Sequence, residues 1–456
     1  MVRARKADFT EGRLFFPIFL FTLPIIATGV LQLLYNTADQ IVVGQFSGDA
    51  NALGAVGSSA ALNSLFVNLF MGITAGSSVV ISQLIGAKKT EEIGKAVHTS
   101  IALGMILGVA IGALAFFLAR PLLILLGTKE ELLGLATRYV RIISCGIPFS
   151  AVYNFGAAVL RSAGDSKTPL GILATTGVLN VLLNLLFVIV FHMSVAGVAL
   201  ATVIANVASA AWVLLVLSKR AEAYRLFLRK LRIHITVLRR ILRIGVPSAL
   251  QSSLFSISNM IIQSAINTFP TTTVSGFTVA SSVEGFTYTS MNSFHQSAVT
   301  FAGQNYGARK RKRLHLVLLY TLIQVTLVGL AMGWLEILLS EPLSRLYVDM
   351  SLPEAPLIVA ASVEKINVIL SAYFICGIMD VMSGYLRGIG YSLVPMLCCV
   401  FGVCGLRAIW VFCVFPLLPQ TALSLFISYP ISWGIVILMH TCTVLYASRE
   451  IKKRFE

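Results

Sequence analysis

Charged residues are scarce in this chain, and their scarcity excludes an ordinary soluble domain. Asp, Glu, Lys and Arg make up 12% of the 456 residues, whereas soluble domains contain about 25%. Apolar residues make up 57%. This composition predicts an integral membrane protein.

Signatures of several other functional classes are also missing. The seven cysteines form no C-x-x-C pair and histidines number only six, so we expect neither a disulfide framework nor a structural zinc site. No Gly-Lys-Ser/Thr phosphate loop is present, so ATP hydrolysis is not expected as an energy source. Neither a His/Glu zinc motif nor a serine-based dyad can be identified, so we expect no enzyme and no cofactor.

Long apolar segments dominate the sequence instead. A helix needs about 20 mostly apolar residues to cross the hydrocarbon of a membrane. Twelve segments meet this requirement, six in each half. They are 15–40, 52–82, 96–119, 139–161, 170–191, 196–218, 243–268, 277–303, 315–338, 366–387, 393–415 and 421–447. The first is too long for a signal peptide and lacks a small-residue cleavage site, so we expect it to be retained.

The two halves of the chain repeat each other. The stretch from Pro24 to Lys89 returns as the stretch from Pro247 to Lys310, and segment 161–169 is similar to segment 387–395. Six spans per half is an even number, so both halves enter the membrane from the same side. The predicted fold class is all-α integral membrane, with two six-helix bundles related by a parallel pseudo-two-fold axis. Such duplicated bundles are typical of secondary transporters.

Positive charge lies on alternate loops. The net charge is +16, and most Lys and Arg residues lie on the two tails, in the stretch that joins the halves, and in loops near Lys88, Lys167, Lys312 and Arg387. The positive-inside rule places these segments and both termini in the cytoplasm. We expect lobes at 1–218 and 243–456, joined by a basic linker at 219–242 that forms an amphipathic helix on anionic headgroups. Interleaved aromatics are scarce there, so no nucleic-acid partner is expected.

Ionisable side chains within the predicted spans are functional candidates, because inserting each one costs at least about 2.5–3.5 kcal/mol. Asp39 in the first span is either a cation or proton site or a carboxylate that snorkels from the helix end. Polar residues on the same face form a candidate cavity lining: Gln32, Tyr35, Asn36 and Gln40. Asn259 and Gln263 occupy the positions of Asn36 and Gln40 in the repeat.

Other residues of the first half support two interpretations each. Pro24 and its repeat mate Pro247 either permit a kink or only shape packing. Asn180 and Asn184, one turn apart in the fifth span, act as interhelical glue or as oxygen ligands, and their spacing alone favours glue. Thr202 in the sixth span is a weaker candidate, because threonine can hydrogen-bond to its own helix backbone.

The eighth span carries a polar stripe that indicates a cavity: Glu284, Tyr288, Asn292 and His295. Glu284 is either a second protonatable group, which we favour, or the partner of a basic residue. His295 fits a hydrogen-bonded histidine better than a ligand.

The tenth span adds Asp380, which has a transport role or pairs with Arg407 of the eleventh span. Arg387, at the end of the tenth span, is expected to brace a cytoplasmic turn rather than to bind substrate.

Together these patterns resemble a known family. The first-span sequence Leu-Tyr-Asn-Thr-Ala-Asp-Gln-Ile-Val-Val-Gly-Gln and the signatures Gly-Gln-Asn-Tyr-Gly-Ala and Leu-Arg-Gly-Ile-Gly are similar to those of multidrug and toxic compound extrusion (MATE) transporters. The resemblance covers nearly the whole chain. It implies a V-shaped pair of six-helix bundles that expels organic cations and other amphiphiles in exchange for sodium ions or protons.

The resemblance also implies roles for individual residues. Asp39 matches the family's helix-1 carboxylate, the proposed cation or proton site, and Pro24 matches the proline at which that helix bends. Asn180 and Thr202 match polar residues of the same cluster. Asn184 departs from the pattern, because many members carry a second Asp there. With one carboxylate fewer, proton coupling is favoured, although carbonyl and amide oxygens still allow a sodium ion near Asp39.

In the second half the match is looser. Some branches of the family place a sodium-linked carboxylate on helix 10, but Asp380 lies about one turn from that position. Glu284 and Asp380 therefore stay candidates on their intramembrane chemistry alone.

The expected function is a secondary active multidrug efflux antiporter of a bacterial cytoplasmic membrane. We expect a monomer that exports amphiphilic or cationic drugs through alternating access, in exchange for H⁺ or Na⁺, with membrane lipid around it. The alternative is a flippase for lipid-linked oligosaccharides, whose cavity should carry cationic rather than acidic residues. An intramembrane enzyme or receptor would not explain the internal repeat.

Overall fold

The computed structural model describes residues 9–46, 51–221 and 223–455, which form helices joined by turns, without a β-strand. Six long helices precede the linker. They are Phe15–Phe46 (α1), Ala52–Gly86 (α2), Thr90–Leu125 (α3), Glu130–Ser162 (α4), Lys167–Leu185 (α5) and Ser194–Lys219 (α6). A π-helical turn, Leu186–Val190, extends α5. Each of these helices covers one of the first six predicted spans.

The second half contains more interruptions. Its helices are Ile235–Ile266 (α7), Thr271–Gly307 (α8), Arg311–Leu338 (α9), Ser340–Arg345 (α10), Ala355–Leu370 (α11), Tyr373–Gly388 (α12), Leu393–Cys399 (α13), Leu406–Ile409 (α14), Ala422–Phe426 (α15) and Ser428–Phe455 (α16). The tenth predicted span is divided into α11 and α12, which are bent by 48° at the break. The eleventh contains π-helical segments on both sides of α14, Val400–Gly405 and Trp410–Val414.

Most of these helices are long and apolar enough to cross a membrane. Within the described ranges nine helices qualify, and α11 with α12 would make a tenth. α7 and α8 have 32 and 37 residues, so they are long enough, but they are more polar. Polar side chains at membrane depth need protein or water beside them. α7 and α8 therefore carry much of the polar chemistry of the second half.

The repeat is visible in the backbone at two equivalent turns. α2 and α8 both end at the Gly-Ala sequence, where the N–H of Ala87 donates to Gln83 and the N–H of Ala308 donates to Gln304. The next residue in each turn is left-handed, with φ of 56° at Lys88 and 55° at Arg309. Both helices thus extend four residues beyond the predicted spans 52–82 and 277–303 and end at equivalent glycines, Gly86 and Gly307.

The chain forms two compact units whose boundaries differ from the predicted lobes. The first contains Leu23–Ala249, and the second contains Phe9–Thr22 and residues 250–455. α1 and α7 each contribute to both units. The short segment Phe9–Thr22 belongs with the second half because of its contacts. The ring of Phe9 stacks on Phe301 with centroids 4.0 Å apart, and Thr22 Oγ1 lies 2.7 Å from Ser297 Oγ.

The start of α7 packs within the first unit through small residues of α2. A Cβ atom on Gly72 would lie 2.2 Å from Cα of Ala249, and one on Gly76 would lie 2.4 Å from the carbonyl oxygen of Ile241. Only glycine allows the two backbones to approach this closely. These contacts explain why the first unit extends to Ala249.

Of the predicted linker 219–242, residues 235–242 are helical and belong to α7, whereas the prediction of an amphipathic helix is wrong for the described residues between α6 and α7. Apart from one 3₁₀ turn at Leu228–Lys230, the described residues between α6 and α7 are irregular. Their backbone is bound by side chains of α3: the N–H of Phe227 donates to His98 Nε2 at 3.1 Å, and the N–H of His234 donates to Thr99 Oγ1 at 3.0 Å. These bonds replace the backbone bonds that a helix would supply.

Candidate ion-coupling site

Asp39 on α1 is held by amide side chains of α5. Asn184 Nδ2 donates to Asp39 Oδ1 at 2.5 Å. With its amide oriented so that both polar atoms are satisfied, Asn180 donates to the same oxygen at 3.0 Å and accepts the backbone N–H of Thr202 on α6 at 3.3 Å. The structure thus brings together the four residues predicted as the coupling site, all within the first unit.

Helical spacing explains this assembly. Asn180 and Asn184 are four residues apart, so both amides project from one face of α5, and both are buried. Thr202 donates its hydroxyl to Val198 O of its own helix at 3.0 Å. Its hydroxyl proton is therefore used by its own helix, which is the reason that made Thr202 the weaker candidate.

The cluster is chemically suited to a proton or a small hard cation. It contains one carboxylate and the amide oxygens of two asparagines, and these oxygens are ligands that such cations accept. Asn184 is fully buried, yet its Oδ1 has no hydrogen-bond partner among the described residues. Buried acceptors are normally satisfied. This free oxygen beside Asp39 therefore marks where an ion or its water can bind.

One tyrosine packs between α1 and α5 one turn before Asp39, and a second faces Asp39 from α4. Tyr35 donates its hydroxyl to Ala174 O on α5 at 3.0 Å, and its ring fills the space over Gly177. Tyr139 on α4 is buried and faces the charge of Asp39. Tyr139 is not among the predicted residues. It begins the fourth predicted span, where a tyrosine is ordinary at a membrane interface, so the sequence gives no signal for it.

The rest of the predicted stripe on α1 lies apart from this cluster. Gln32, Asn36 and Gln40 are exposed, so they stay candidates for a cavity lining. α1 continues as one helix through Pro24. The boundary between the compact units falls close by, between Thr22 and Leu23. A hinge at Pro24 stays a prediction.

In the second unit Glu284 pairs with a lysine. Lys365 Nζ of α11 lies 3.4 Å from Glu284 Oε1, and it donates to Phe277 O at 3.0 Å and to Ser281 Oγ at 2.5 Å. Glu336 of α9 is also buried and faces the charge of Glu284. The geometry matches the less favoured interpretation of Glu284, as the partner of a basic residue.

Neither Lys365 nor Glu336 is among the predicted residues. Lys365 precedes the tenth predicted span by one residue, and Glu336 lies two residues before the end of the ninth. Both positions are typical of interfacial residues. A search for ionisable residues that included the span ends would have found them.

Asp380 on α12 does not pair with Arg407. Its carboxylate is hydrogen-bonded by the side chain of Asn292, and its backbone carbonyl lies 2.7 Å from His295 Nδ1. The alternative of an ion pair with Arg407 is wrong, because the Arg407 guanidinium stacks on Tyr429 instead.

Arg387, predicted as the brace of a cytoplasmic turn, is buried in the second unit. Its Nη2 donates to Gln251 Oε1 at 2.6 Å, and its Nη1 lies 3.4 Å from His295 Nε2. Because arginine can only donate, His295 Nε2 accepts and Nδ1–H donates to Asp380 O. His295 is thus the hydrogen-bonded histidine that was predicted, not a ligand.

The remaining predicted residues of the second half are dispersed. Asn259 Oδ1 accepts a bond from Arg407 Nη1 at 3.3 Å, and Gln263 donates to Asn267 Oδ1 at 2.9 Å. Tyr288 is partly exposed. Across the described ranges, no three His, Cys, Asp or Glu side chains are grouped closely enough to hold a metal ion.

Comparison with known protein families assigns this chain to one of them. The MatE family model matches residues 24–186 and 247–413. The chain belongs to the MATE family. The two matches begin at the repeat-related Pro24 and Pro247, so one family model covers each half of this MATE protein and the internal repeat is confirmed.

Curated MATE relatives carry names of drug-resistance proteins. The probable multidrug resistance protein YoeA of Bacillus subtilis (strain 168) is 27% identical over 431 residues, covering 92% of this chain and 91% of YoeA. The probable multidrug resistance protein YpnP of the same organism is 31% identical over 307 residues, covering 67% of this chain and 68% of YpnP. The family and these relatives are transporters, which places this MATE chain among integral membrane transporters.

A solved MATE structure shares the fold over almost the entire chain. An outward-facing multidrug resistance MATE transporter of the MOP superfamily aligns with a TM-score of 0.90 at 22% identity, covering 99% of each chain. The prediction of an all-helical MATE fold is confirmed by this match.

Proposed function

We propose that this MATE transporter is a secondary active antiporter that exports amphiphilic or cationic drugs in exchange for H⁺ or Na⁺. The observation that carries the proposal is the carboxylate of Asp39, bound by Asn184 at 2.5 Å and by Asn180 at 3.0 Å beside the free oxygen of Asn184. Family membership supports multidrug efflux as the task. The charged cluster supplies the place where a gradient can act.

The proposed mechanism is a linkage between ion binding and conformation. Two N–H donors on Asp39 Oδ1 are matched to a negative charge. When a proton or cation neutralises that charge, the bonds from α5 to α1 weaken, and the equilibrium between two access states shifts. A cationic cargo that binds one of these states better shifts the equilibrium back. Asp39 is the coupling residue, and Asn180 and Asn184 position it.

The test is ethidium efflux from proteoliposomes, with a proton gradient and a sodium gradient imposed separately. We expect efflux under at least one gradient in the wild type and its loss in Asp39→Asn, which keeps the size of the side chain but not its charge. The gradient that drives efflux identifies the ion.

Two results would contradict the proposal. Wild-type efflux rates in Asp39→Asn would show that coupling does not depend on this carboxylate. Absence of efflux under both gradients would favour the lipid-linked oligosaccharide flippase, to be tested with labelled lipid. Glu131→Gln is the matched control, because it removes an exposed carboxylate at the start of α4, outside the cluster, and should keep wild-type efflux.

A further inference from the structure

Arg407 is a buried cation that the proposed coupling mechanism does not use. It lies in α14, a short α-helical piece between two π-helical segments of the second unit. π-helical turns are rare and frequently occur at functional sites. The side chain is 0% exposed, and an arginine cannot lose its charge under such conditions.

The contacts of Arg407 leave its charge without a negative partner. Its guanidinium carbon lies 4.0 Å from the ring centroid of Tyr429 and 5.5 Å from that of Phe255. Nη1 donates to Asn259 Oδ1 at 3.3 Å. Its neighbours are thus two aromatic rings and one neutral amide, none of which carries a negative charge.

The unsatisfied atoms of this group share one edge. Nε and Nη2 have no hydrogen-bond partner among the described residues. In a planar guanidinium these two nitrogens form a fork that binds two oxygens of a carboxylate or phosphate side by side. This buried edge therefore has the donor arrangement of an oxyanion receptor.

The carboxylates that could neutralise Arg407 have other partners. Glu284 pairs with Lys365, and Asp380 is bound by Asn292. The electrostatic neighbours of Arg407 are tyrosine and cysteine side chains, and no described carboxylate lies at ion-pair distance from it. A buried charge without compensation is unfavourable, so a negative group from outside the chain fits the site.

We propose that Arg407 binds an oxyanion, the carboxylate, sulfonate or phosphate group of an amphiphilic molecule, through Nε and Nη2. The rings of Tyr429 and Phe255 suit an apolar body next to the acid group. Asn259, which accepts a hydrogen bond from Arg407, is exposed, so a residue in direct contact with Arg407 reaches the surface. The oxyanion belongs either to a cargo molecule or to a phospholipid. Its use as a cargo site rests on the proposed efflux function, whereas its binding does not.

The test compares two ligands of equal shape, 2-naphthoate and 2-naphthamide, by the Tm of the purified chain in detergent. Ligands that bind the native state raise its Tm. In the wild type we expect naphthoate to bind at least tenfold more tightly than naphthamide. In Arg407→Gln this preference should disappear, and in Arg407→Lys, which keeps the charge but not the fork, it should be reduced. Arg120→Gln removes an exposed arginine of α3 and should preserve it.

A second arm distinguishes cargo from lipid. The Tm is measured in phosphatidylcholine nanodiscs with and without phosphatidylglycerol. Stabilisation by phosphatidylglycerol that requires Arg407, with no effect of naphthoate, would support the oxyanion site and assign its ligand to a lipid.

The proposal is overturned if naphthoate and phosphatidylglycerol each shift the Tm of the wild type no more than the Tm of Arg407→Lys and Arg407→Gln. Water would then satisfy Nε and Nη2. If Arg407→Gln fails to fold, the test rests on the preference of the wild type for naphthoate over naphthamide and on the reduction of that preference in Arg407→Lys. Neither arm requires transport, so the result is independent of the antiport proposal.

Discussion

At the residue scale, Asn184 offers the most direct access to the ion specificity of the site. Its amide donates to Asp39 Oδ1 at 2.5 Å, so a carboxylate at this position would adjoin Asp39. Sodium binding gains from a second negative ligand. We therefore expect Asn184→Asp to raise the efflux driven by a sodium gradient several-fold relative to the efflux driven by a proton gradient.

The measurement is the ratio of the two efflux rates in proteoliposomes of matched protein content. Asn184→Ser serves as the control, because it removes the amide without adding charge, and it should not raise the ratio. An unchanged ratio in Asn184→Asp would argue against a sodium ion at this position.

The pair of Glu284 and Lys365 gives a prediction on stability. Lys365→Met leaves Glu284 buried without its cation, which typically costs about 3–5 kcal/mol. We expect a clear fall in the Tm of the purified protein. The double variant Lys365→Met/Glu284→Leu replaces the pair by apolar groups and should recover most of that loss.

A matched control is the exposed pair of Arg345 and Glu341. Arg345→Met should cost less than about 1 kcal/mol, because water screens such pairs. Equal losses of stability in Lys365→Met and Arg345→Met would contradict the distinction between buried and exposed pairs.

The sequence predicts part of the residue-scale picture for a physical reason. Asn180 and Asn184 share a helix face by spacing, and a lone carboxylate at membrane depth needs polar partners, so their meeting with Asp39 could be anticipated. The partner of Glu284 could not, because several basic residues were available and only packing of α8 against α11 selects Lys365. The same limit explains the incorrect partner assigned to Asp380.

At the element scale, the close approach of α1 and α5 depends on one glycine. A Cβ atom on Gly177 would lie 1.9 Å from Cε2 of Tyr35, whereas one on Gly171 of the same helix would meet no atom within 4 Å. Gly177→Ala must displace the Tyr35 ring and with it the contact beside Asp39. We expect a loss of about 1–3 kcal/mol in stability, as for overpacked cores, together with impaired efflux.

Gly171→Ala is the control, with the same change of helix propensity but no clash. The two variants are compared by Tm and by efflux rate per folded protein. If Gly177→Ala behaved like Gly171→Ala in both assays, tight packing of α1 on α5 would not matter for coupling.

The sequence carries a signal for some helix ends and none for others. The turns after α2 and α8 carry a Gly-Ala signature, and both helices end there. The break between α11 and α12 has no such signal, since Ser371 and Ala372 are compatible with a helix. It coincides with close packing of α9, where a Cβ on Gly333 would lie 3.1 Å from Leu370 O. Such a feature arises from tertiary contacts.

At the scale of the whole molecule, the positive-inside pattern predicts which loops face the cytoplasm. Arg229 lies in the linker, which the pattern predicts to be cytoplasmic, and Asp349 lies in the loop before α11, which it predicts to be on the opposite side. We expect Arg229→Cys to react with a membrane-impermeant maleimide only after the cells are permeabilised, and Asp349→Cys to react in intact cells.

The native cysteines all lie in helical segments. Wild-type protein treated with the same maleimide in intact and in permeabilised cells therefore gives the background labelling of the native cysteines. Labelling of Arg229→Cys in intact cells would reverse the proposed orientation and move both termini to the outside.

The contacts of Phe9 have a consequence for biosynthesis. Asn305 donates to the carbonyl of Phe9 across 296 residues of chain. At a synthesis rate of about 5–20 residues per second, roughly 15–60 s separate the appearance of these two partners at the ribosome. The segment from Phe9 to Thr22 is made early, yet its partners Ser297, Phe301 and Asn305 are made only with α8. A segment that is synthesised before α2 to α7 is thus among the last to reach its native environment.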